Sequence, residues 1–447
     1  MDVAMATVSS PGADRALGAG RGLRVIHVGV LGLGNVGQAV VRAAAASADV
    51  LRRRGLALSI DSALVRDVTK PRRCPRAGRL TSNVEAFMRG RFDVVIDALP
   101  GREPAAAIAG RLLGKGIPVV SANKVLIAAD GRRLRRLAAR AGTSLRIEAA
   151  VMAGVPFVGA FERRPLAAHV TRVAGILNGT SHFILSRIAA GAPFDVALAE
   201  AQALGYAEPN PDADVSGRDA REKLVVLADV LFGCAVRSAS IVAEGIAGIT
   251  PDALASAASL GGALKPIVFA ARAAACAQED GLPASSTAAR ALTAFAAPAW
   301  VPASHPLAAI TGRDNAVVID SRFSGRLVFA GPGAGPDVTA ATLLDDAIEA
   351  AGDETKGESR IRTSHSVSVR APETGWFVRI TGERAPVKTA FVDLQIRAAD
   401  LTVEKHRADS RGISLLISPA AADRVRAVRS ALAAQGLTAR VWRALHD

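Results

Sequence analysis

At 447 residues with 50% hydrophobic composition, the chain is long enough for about two to four domains. No apolar run approaches the roughly 18 residues of a membrane span, which argues against a membrane protein. The formal charge of +14 would suit a nucleic-acid binder, but aromatic residues make up only 4% and the arginines are dispersed, so the charge is read against an anionic cofactor and acidic metabolites. Cys74, Cys234 and Cys276 are too scattered for a disulfide framework or a zinc site. Residues 1–22 lack the compact apolar segment of a signal peptide and read as a loose tail, so a soluble, cytoplasmic protein is expected.

From Arg24 a β-branched strand pattern runs into Gly32-Leu33-Gly34-Asn35-Val36-Gly37 and an Ala/Val-rich helix. That order is a dinucleotide-binding unit. Gly32 permits the tight turn, Gly34 lets the backbone approach a pyrophosphate at the helix start formed by Asn35 and Val36, and Gly37 lets helix and strand pack closely. A second strand, Leu58 to Val65, ends at Arg66 where a carboxylate would hold an adenosine 2′-hydroxyl, and Lys70 follows. Basic groups there favour NADP over NAD, although Asp67 stands adjacent and a solvated loop is the competing reading. A third strand, from Phe92, ends in the loop Asp97-Ala98-Leu99-Pro100, which puts Ala98 at the carboxyl edge of the sheet, where ligands bind.

The strand Ile117 to Val120 delivers Ser121-Ala122-Asn123-Lys124. Lys124 then points into the crevice, with Asn123 placed to orient it or the cofactor; a surface lysine is the alternative. An arginine-rich helix is expected over Gly131 to Ala141. Glu148, with backbone oxygens of Val151, Ala153 and Val155, suits a hard monovalent cation such as Na+ or K+, or else Glu148 caps the turn. The strand Val170 to Leu177 leads into Asn178-Gly179-Thr180, a turn opening a helix whose amides and Thr180 hydroxyl suit a small polar ligand.

An acid-rich loop from Gly205, broken by Pro209 and Pro211, enters a helix that carries Asp219 and Lys223 four residues apart, on one face. Residues 224–300 read as alanine-rich helices, and Arg326 to Ala350 as strand, glycine turn and helix, with Gly333 supplying close-approach backbone. A polar linker, 352–375, precedes strand, helix, two strands, helix and strand, the βαββαβ order of a ferredoxin-like unit.

Taken together, the Gly32 fingerprint, Ala122-Asn123-Lys124, Glu148 to Pro156, Gly175 to Thr180, Gly205 to Leu224, Glu244-Gly245-Ile246, His305-Pro306-Leu307, Asn315 to Val318 and Gly331 to Gly335 resemble homoserine dehydrogenase. The resemblance implies an α/β protein: a Rossmann-type domain over 23–155 with 326–351 returning to it, an α+β substrate and dimerisation domain over 156–325, and a C-terminal ACT-like regulatory domain over 376–447. It implies reversible, NAD(P)-dependent hydride transfer between L-homoserine and L-aspartate 4-semialdehyde, in threonine, methionine and isoleucine biosynthesis. Lys223 would pass the proton with Asp219, and Lys124 would stand between cofactor and substrate. Glu208, Asp214, Tyr206, Gly179 and Thr180 would hold the amino acid, in a homodimer or homotetramer with no nucleic-acid or membrane partner. The competing reading, a catalytically silent ligand sensor, is opposed by the joint presence of Lys124, Glu208, Asp219 and Lys223. His182 stands where the family has an amide and is read as a satisfied core histidine rather than a pocket residue.

Overall fold

The computed structural model describes residues 23–75, 77–163, 169–272, 291–352, 365–370, 373–382 and 389–445. The tail expected at 1–22, Cys276 and most of the linker expected at 352–375 lie outside the described residues.

Six parallel strands make the first sheet: β1 (Arg24–Leu31), β2 (Leu56–Leu64), β3 (Arg79–Thr81), β4 (Val94–Asp97), β5 (Val119–Ser121) and β6 (Leu145–Arg146), in the order β3-β2-β1-β4-β5-β6. Helices cover both faces, so Ile26, Val28, Val30, Val94, Val95 and Ile96 are all buried. The strand order reverses between β1 and β4, and a crevice opens there beyond the carboxyl ends of the strands.

A second, mixed sheet carries the rest of the chain. Strands Gly325–Pro332, Asp314–Ser321, Val170–Ile176, Gly262–Arg272 and Leu292–Pro302 lie antiparallel in that order. This corrects the expectation of helices throughout 224–300. Helices do occupy Arg218–Phe232 and Pro251–Ser259, but 262–272 and 292–302 form a long two-stranded ladder, paired from Gly262 with Pro302 to Arg272 with Leu292. Alanine's preference for helix is only a few tenths of a kcal/mol per residue over most residue types, about 0.7 at the extreme, and is outweighed where both strand faces are buried. Ala294, Ala296, Ala297 and Ala299 are all covered.

One core joins the two sheets. Leu31, Val95 and Leu112 of the first domain pack in the same cluster as Leu224, Leu227, Val268 and Val317 of the second. The helix Pro336–Gly352 returns to the first sheet, and its Leu343, Leu344 and Ala347 pack with Val40 and Val41 of the helix Asn35–Ala46.

The C-terminal unit has strand Thr374–Thr381, helix Thr389–Ala398, strands Val403–Asp409 and Gly412–Ala420, helix Ala422–Ala433 and strand Thr438–Ala444. Its last strand joins the larger sheet, Ala299 pairing with Arg443 and Trp300 with Ala444. Arg379, only 2% exposed, ties the unit down: its guanidinium donates to Asp252 of the neighbouring helix at 3.0 and 3.2 Å and to Asp409 at 3.0 Å.

Candidate active site

The glycine turn after β1 is built for a dinucleotide. Gly32 has φ +88°, a left-handed conformation that strains any side chain, and a Cβ on Gly37 would fall 2.0 Å from the Gly32 carbonyl oxygen. Gly34 is the opposite case: a Cβ there would meet no atom within 4 Å, leaving a free approach to the helix start. No side chain caps that helix, so the amides at Asn35 and Val36 face the crevice end without an internal acceptor, which suits a pyrophosphate. Ala98 completes the turn, its amide bonded to the Leu31 carbonyl and its own carbonyl lying against Gly32.

Beyond the end of β2 a cleft of about 670 Å³ is lined by Leu33, Val68, Lys70, Arg72, Cys74 and Arg79. Arg66 and Lys70 are exposed, whereas Arg72 folds back onto the carbonyls of Lys70 and Asp67 at 2.8 and 2.6 Å. Asp67 is occupied by the amide and hydroxyl of Thr69 at 2.8 and 2.7 Å. The carboxylate beside Arg66 is thus absorbed by its own loop, and Lys70 and Arg79 are among the basic groups that line the cleft.

On the other side of the crevice, Asp97 is wholly buried and accepts hydrogen bonds from the Ser121 hydroxyl at 2.8 Å and the Leu99 amide at 3.1 Å. Burial pushes its carboxyl up to about 6, against these two bonds. Asn123 bonds the Gly101 carbonyl at 2.6 Å and accepts from the Leu126 amide at 3.1 Å. That side-chain cap starts the following helix at Lys124, not near Gly131 as the arginine run suggested, and makes Lys124 its first residue.

Lys124 reaches into the second domain. Its Nζ lies 2.6 Å from Oδ1 of Asp219, and Lys223 Nζ lies 3.2 Å from Oδ2 of the same carboxylate. Lys223 also donates to the Leu177 carbonyl at 2.7 Å. Asn178, at the end of the strand Val170–Ile176, donates to Asp219 at 2.9 Å and to Asp214 at 2.7 Å, while its oxygen caps the helix Gly179–Ala189 through the Ser181 amide at 2.7 Å. Burial would raise the Asp219 pKa, but Lys223 and Lys124 outweigh it and hold this carboxyl well below the usual carboxylate range. Burial pulls Lys124 down, yet Asp219 more than offsets it and the net direction is up. Asp214 goes up, through burial and then the nearby Asp219, despite its bond from Asn178.

The remaining expected residues fall into three groups. Thr180 donates its hydroxyl to the Tyr206 carbonyl at 2.7 Å, so it anchors the acid loop, and the Tyr206 ring is held edge-on to Phe183 with Arg313 over its face at 4.9 Å. Glu208 is exposed in that loop, next to the cluster in sequence but with its side chain open to solvent. Gly179 and Gly333 are tight: a Cβ would fall 2.5 Å from the Arg313 carbonyl oxygen at Gly179 and 2.0 Å from the Asn315 amide nitrogen at Gly333.

Of the two readings of Glu148, turn cap or cation ligand, the hydrogen bonds show the cap. Its carboxylate accepts the amides of Phe157 and Val158 at 2.8 Å and of Gly159 at 2.6 Å, so it caps the helix Val158–Arg163. Oε1 accepts two backbone amides and Oε2 one, and the carbonyls expected to share a cation with it are those of Val151, Ala153 and Val155. The Ala153 carbonyl already accepts from Thr342, and the Val155 carbonyl from the Phe157 amide.

Two residues that carry the cluster were not picked from the sequence as site residues: Asn178, which bridges both aspartates, and Leu177, whose carbonyl orients Lys223. The side-chain role of Asn178 was hidden by its reading as a turn residue; a backbone carbonyl has no signal in sequence. His182 is a core histidine, wholly buried, with Nδ1 3.1 Å from the Asp314 carbonyl and Nε2 3.3 Å from Lys265 Nζ. Burial and then Lys265 push it down to about 4, so it is neutral near pH 7, accepting from Lys265 and donating to Asp314.

A carboxylate buried between two lysines, one of them half-exposed, together with an open dinucleotide turn marks an oxidoreductase that moves a hydride with a nicotinamide cofactor. Family models agree on the kind: homoserine dehydrogenase matches residues 156–348, and the homoserine dehydrogenase NAD-binding domain matches residues 32–148. The chain is 40% identical over 337 residues to homoserine dehydrogenase of Mycobacterium leprae, covering 75% of this chain and 74% of that relative. It is 37% identical over 392 residues to that of Mycobacterium tuberculosis, covering 85% and 86%. Among solved structures, the homoserine dehydrogenase of Thiobacillus denitrificans superposes with a TM-score of 0.83 at 28% identity, covering 95% of this chain and 99% of that one. A hyperthermophilic archaeal homoserine dehydrogenase in complex with NADPH shares the fold, with a TM-score of 0.59 at 23% identity over 73% of this chain and 98% of that one. The chain belongs to the homoserine dehydrogenase family.

Proposed function

We propose that this homoserine dehydrogenase favours NADP and uses Lys223 to give and take the proton when L-aspartate 4-semialdehyde and L-homoserine interconvert. The observation that carries the reading is the Asp219 carboxylate, which binds Lys124 through one oxygen and Lys223 through the other. A bound nicotinamide supplies the hydride to the aldehyde carbon or accepts it from the alcohol. As charge builds on the substrate oxygen, Lys223 meets it with an N–H. Two of its three N–H groups are directed at Leu177 and Asp219, which leaves one for the substrate. Asp219 fixes the lysine's orientation, and Lys124, with 37% of its side chain exposed, links the cluster toward solvent for the returning proton.

Glu208 and Asp214 are proposed to take the substrate ammonium, and Tyr206, Gly179 and Thr180 to close the pocket. The first amides of the helix at Gly179 lack an acceptor within the helix. Arg66 and Lys70, exposed where the second strand ends, are the proposed partners of a 2′-phosphate. Gly32, Gly34, Asn123 and Gly333 complete the cofactor side. The decisive assay is oxidation of NADPH and NADH by purified protein with aspartate 4-semialdehyde; no turnover with either would refute the reading, and equal kcat/KM would remove the NADP preference.

A Na+ or K+ ion at 148–155 is proposed only as a backbone-held ion, and no step above uses it. Activity that is the same in sodium, potassium and alkali-metal-free tetramethylammonium buffers would rule it out. The terminal βαββαβ unit is proposed to be an ACT-like regulatory module of a homodimer or homotetramer working in the cytoplasm. Sedimentation of a monomer, or a response to no amino acid added to the assay, would count against the two parts of that reading.

A further inference from the structure

Asn315 lies on the strand Asp314–Ser321, opposite Gly331, and is 1% exposed. Its side-chain amide is wedged between two glycines on opposite sides of the site. A Cβ on Gly333 would fall 2.0 Å from Nδ2, and one on Gly179 would fall 3.3 Å from Oδ1. Gly179 opens the helix capped by Asn178, the residue that holds Asp214 and Asp219. Gly333 sits in the glycine loop after the strand Gly325–Pro332, which is pinned to the 153–154 turn by Ala153 N–H to the Gly333 carbonyl at 3.1 Å and Gly154 N–H to the Pro332 carbonyl at 3.0 Å.

Among the described residues neither Oδ1 nor Nδ2 of Asn315 has a hydrogen-bond partner. A buried amide with both ends unmade costs stability, and an apolar residue of the same shape would fill the space without that cost. Partners of the right kind stand close in sequence and space. The Gly179 and Thr180 amides are first-turn donors with no acceptor inside their helix, on the Oδ1 side. Gly333 of the 332–335 loop lies directly against the Nδ2 side.

We propose that Asn315 is a positioning residue that couples the substrate-side helix start to the glycine loop on the cofactor side. When substrate and cofactor draw these two segments together, Oδ1 accepts from the first-turn amides and Nδ2 donates to the loop. The unmade bonds of the free protein are thereby spent on aligning the reacting carbon with the hydride. This inference rests on the function proposed above, and it concerns a residue that touches neither ligand.

The test compares wild type with Asn315→Leu, which keeps the shape and removes both polar ends. Four quantities are measured: kcat and KM for homoserine, the dissociation constant for NADPH by fluorescence, the melting temperature, and the deuterium isotope effect on kcat with homoserine deuterated at the carbon that gives up the hydride. The expected result is a kcat at least tenfold lower, a KM and NADPH affinity within about threefold of wild type, and a melting temperature equal or higher. The isotope effect should rise, because misalignment slows hydride transfer itself. A variant that only folds poorly would lose activity with an unchanged isotope effect, and that outcome overturns the proposal. So does a variant with wild-type kinetics at any melting temperature. If the wild type itself fails to turn over homoserine, the functional reading falls; if wild type is active and Asn315→Leu is indifferent, only this inference does.

Discussion

Lys124 and Asp219 meet at 2.6 Å although they come from different domains, one opening the helix after the fifth strand of the parallel sheet, the other in the first turn of the helix Arg218–Phe232. The carboxylate therefore does two jobs: it sets Lys223 one turn along its own helix, and it fastens the two halves of the site. Asp219→Asn keeps the shape and removes the charge. The expected outcome is a kcat lower by about two orders of magnitude and a loss of stability on the order of 3 kcal/mol, because Lys223 is left buried without its counter-charge. The Asp219 pKa is depressed, so its contribution is present above the ordinary carboxylate pKa of about 4 and is lost as pH falls through the folded value. Melting curves of wild type and variant should therefore converge in acid.

Lys223→Ala should reduce turnover by at least about a hundredfold while leaving NADPH binding nearly unchanged, as the proposed role of the lysine toward substrate requires. Steady-state kinetics and cofactor titration check both halves. Turnover near the wild-type value would place the proton donor elsewhere.

Lys70→Ala should raise KM for NADPH by roughly tenfold and leave KM for NADH nearly untouched, the size expected for one charge-assisted hydrogen bond to phosphate. Arg66→Ala should act in the same direction. Equal effects on both cofactors would show that these residues shape the cleft without reading the 2′-phosphate.

A fourth test concerns pH. Asp346, on the returning helix Pro336–Gly352, is 9% exposed, and among the described residues its Oδ2 has no hydrogen-bond partner. Burial, then the neighbouring Glu148, pushes this carboxyl up to about 7. The folded protein thus holds a proton that the unfolded chain, with a pKa near 4, releases earlier. The stability linked to that proton is present below about pH 4 and is lost as pH rises through about 7. Asp346→Asn mimics the protonated form, so its melting temperature should exceed that of wild type by a margin that grows as pH rises from about 4 and is complete above about 7. The margin corresponds to a few kcal/mol at most. A constant margin across this range would mean that Asp346 does not titrate there.

The parts of the site that were legible in the sequence are those whose chemistry is local. The glycine turn at Gly32 and the four-residue spacing of Asp219 and Lys223 can each be read from neighbours in the chain. What brings Lys124 to that pair is not local, because it depends on a cap by Asn123 and on the packing of one helix against another. The alanine-rich run after Leu224 misled for a related reason. Helix propensity is a property of single residues, whereas the ladder from Gly262 to Pro302 is set by partners up to forty positions away. Glu148 shows a third limit: a capping role could be read from its place before the turn, but the amides of 157–159 that it caps are donors every sequence carries and none announces.

The strand Leu292–Pro302 has one long neighbour, Gly262–Arg272, while its other side is shared by three short strands: Val369–Arg370 at Leu292, Val242–Ala243 at Phe295 and Thr438–Ala444 at Ala299. An unpaired edge of that length, with Phe295, Trp300 and Val301 along it, would be a template for association with other chains. The chain's terminal strand is thus one of three plugs on a surface that must not be left open. A protein shortened before Thr438 would be expected to be less soluble before it was less active.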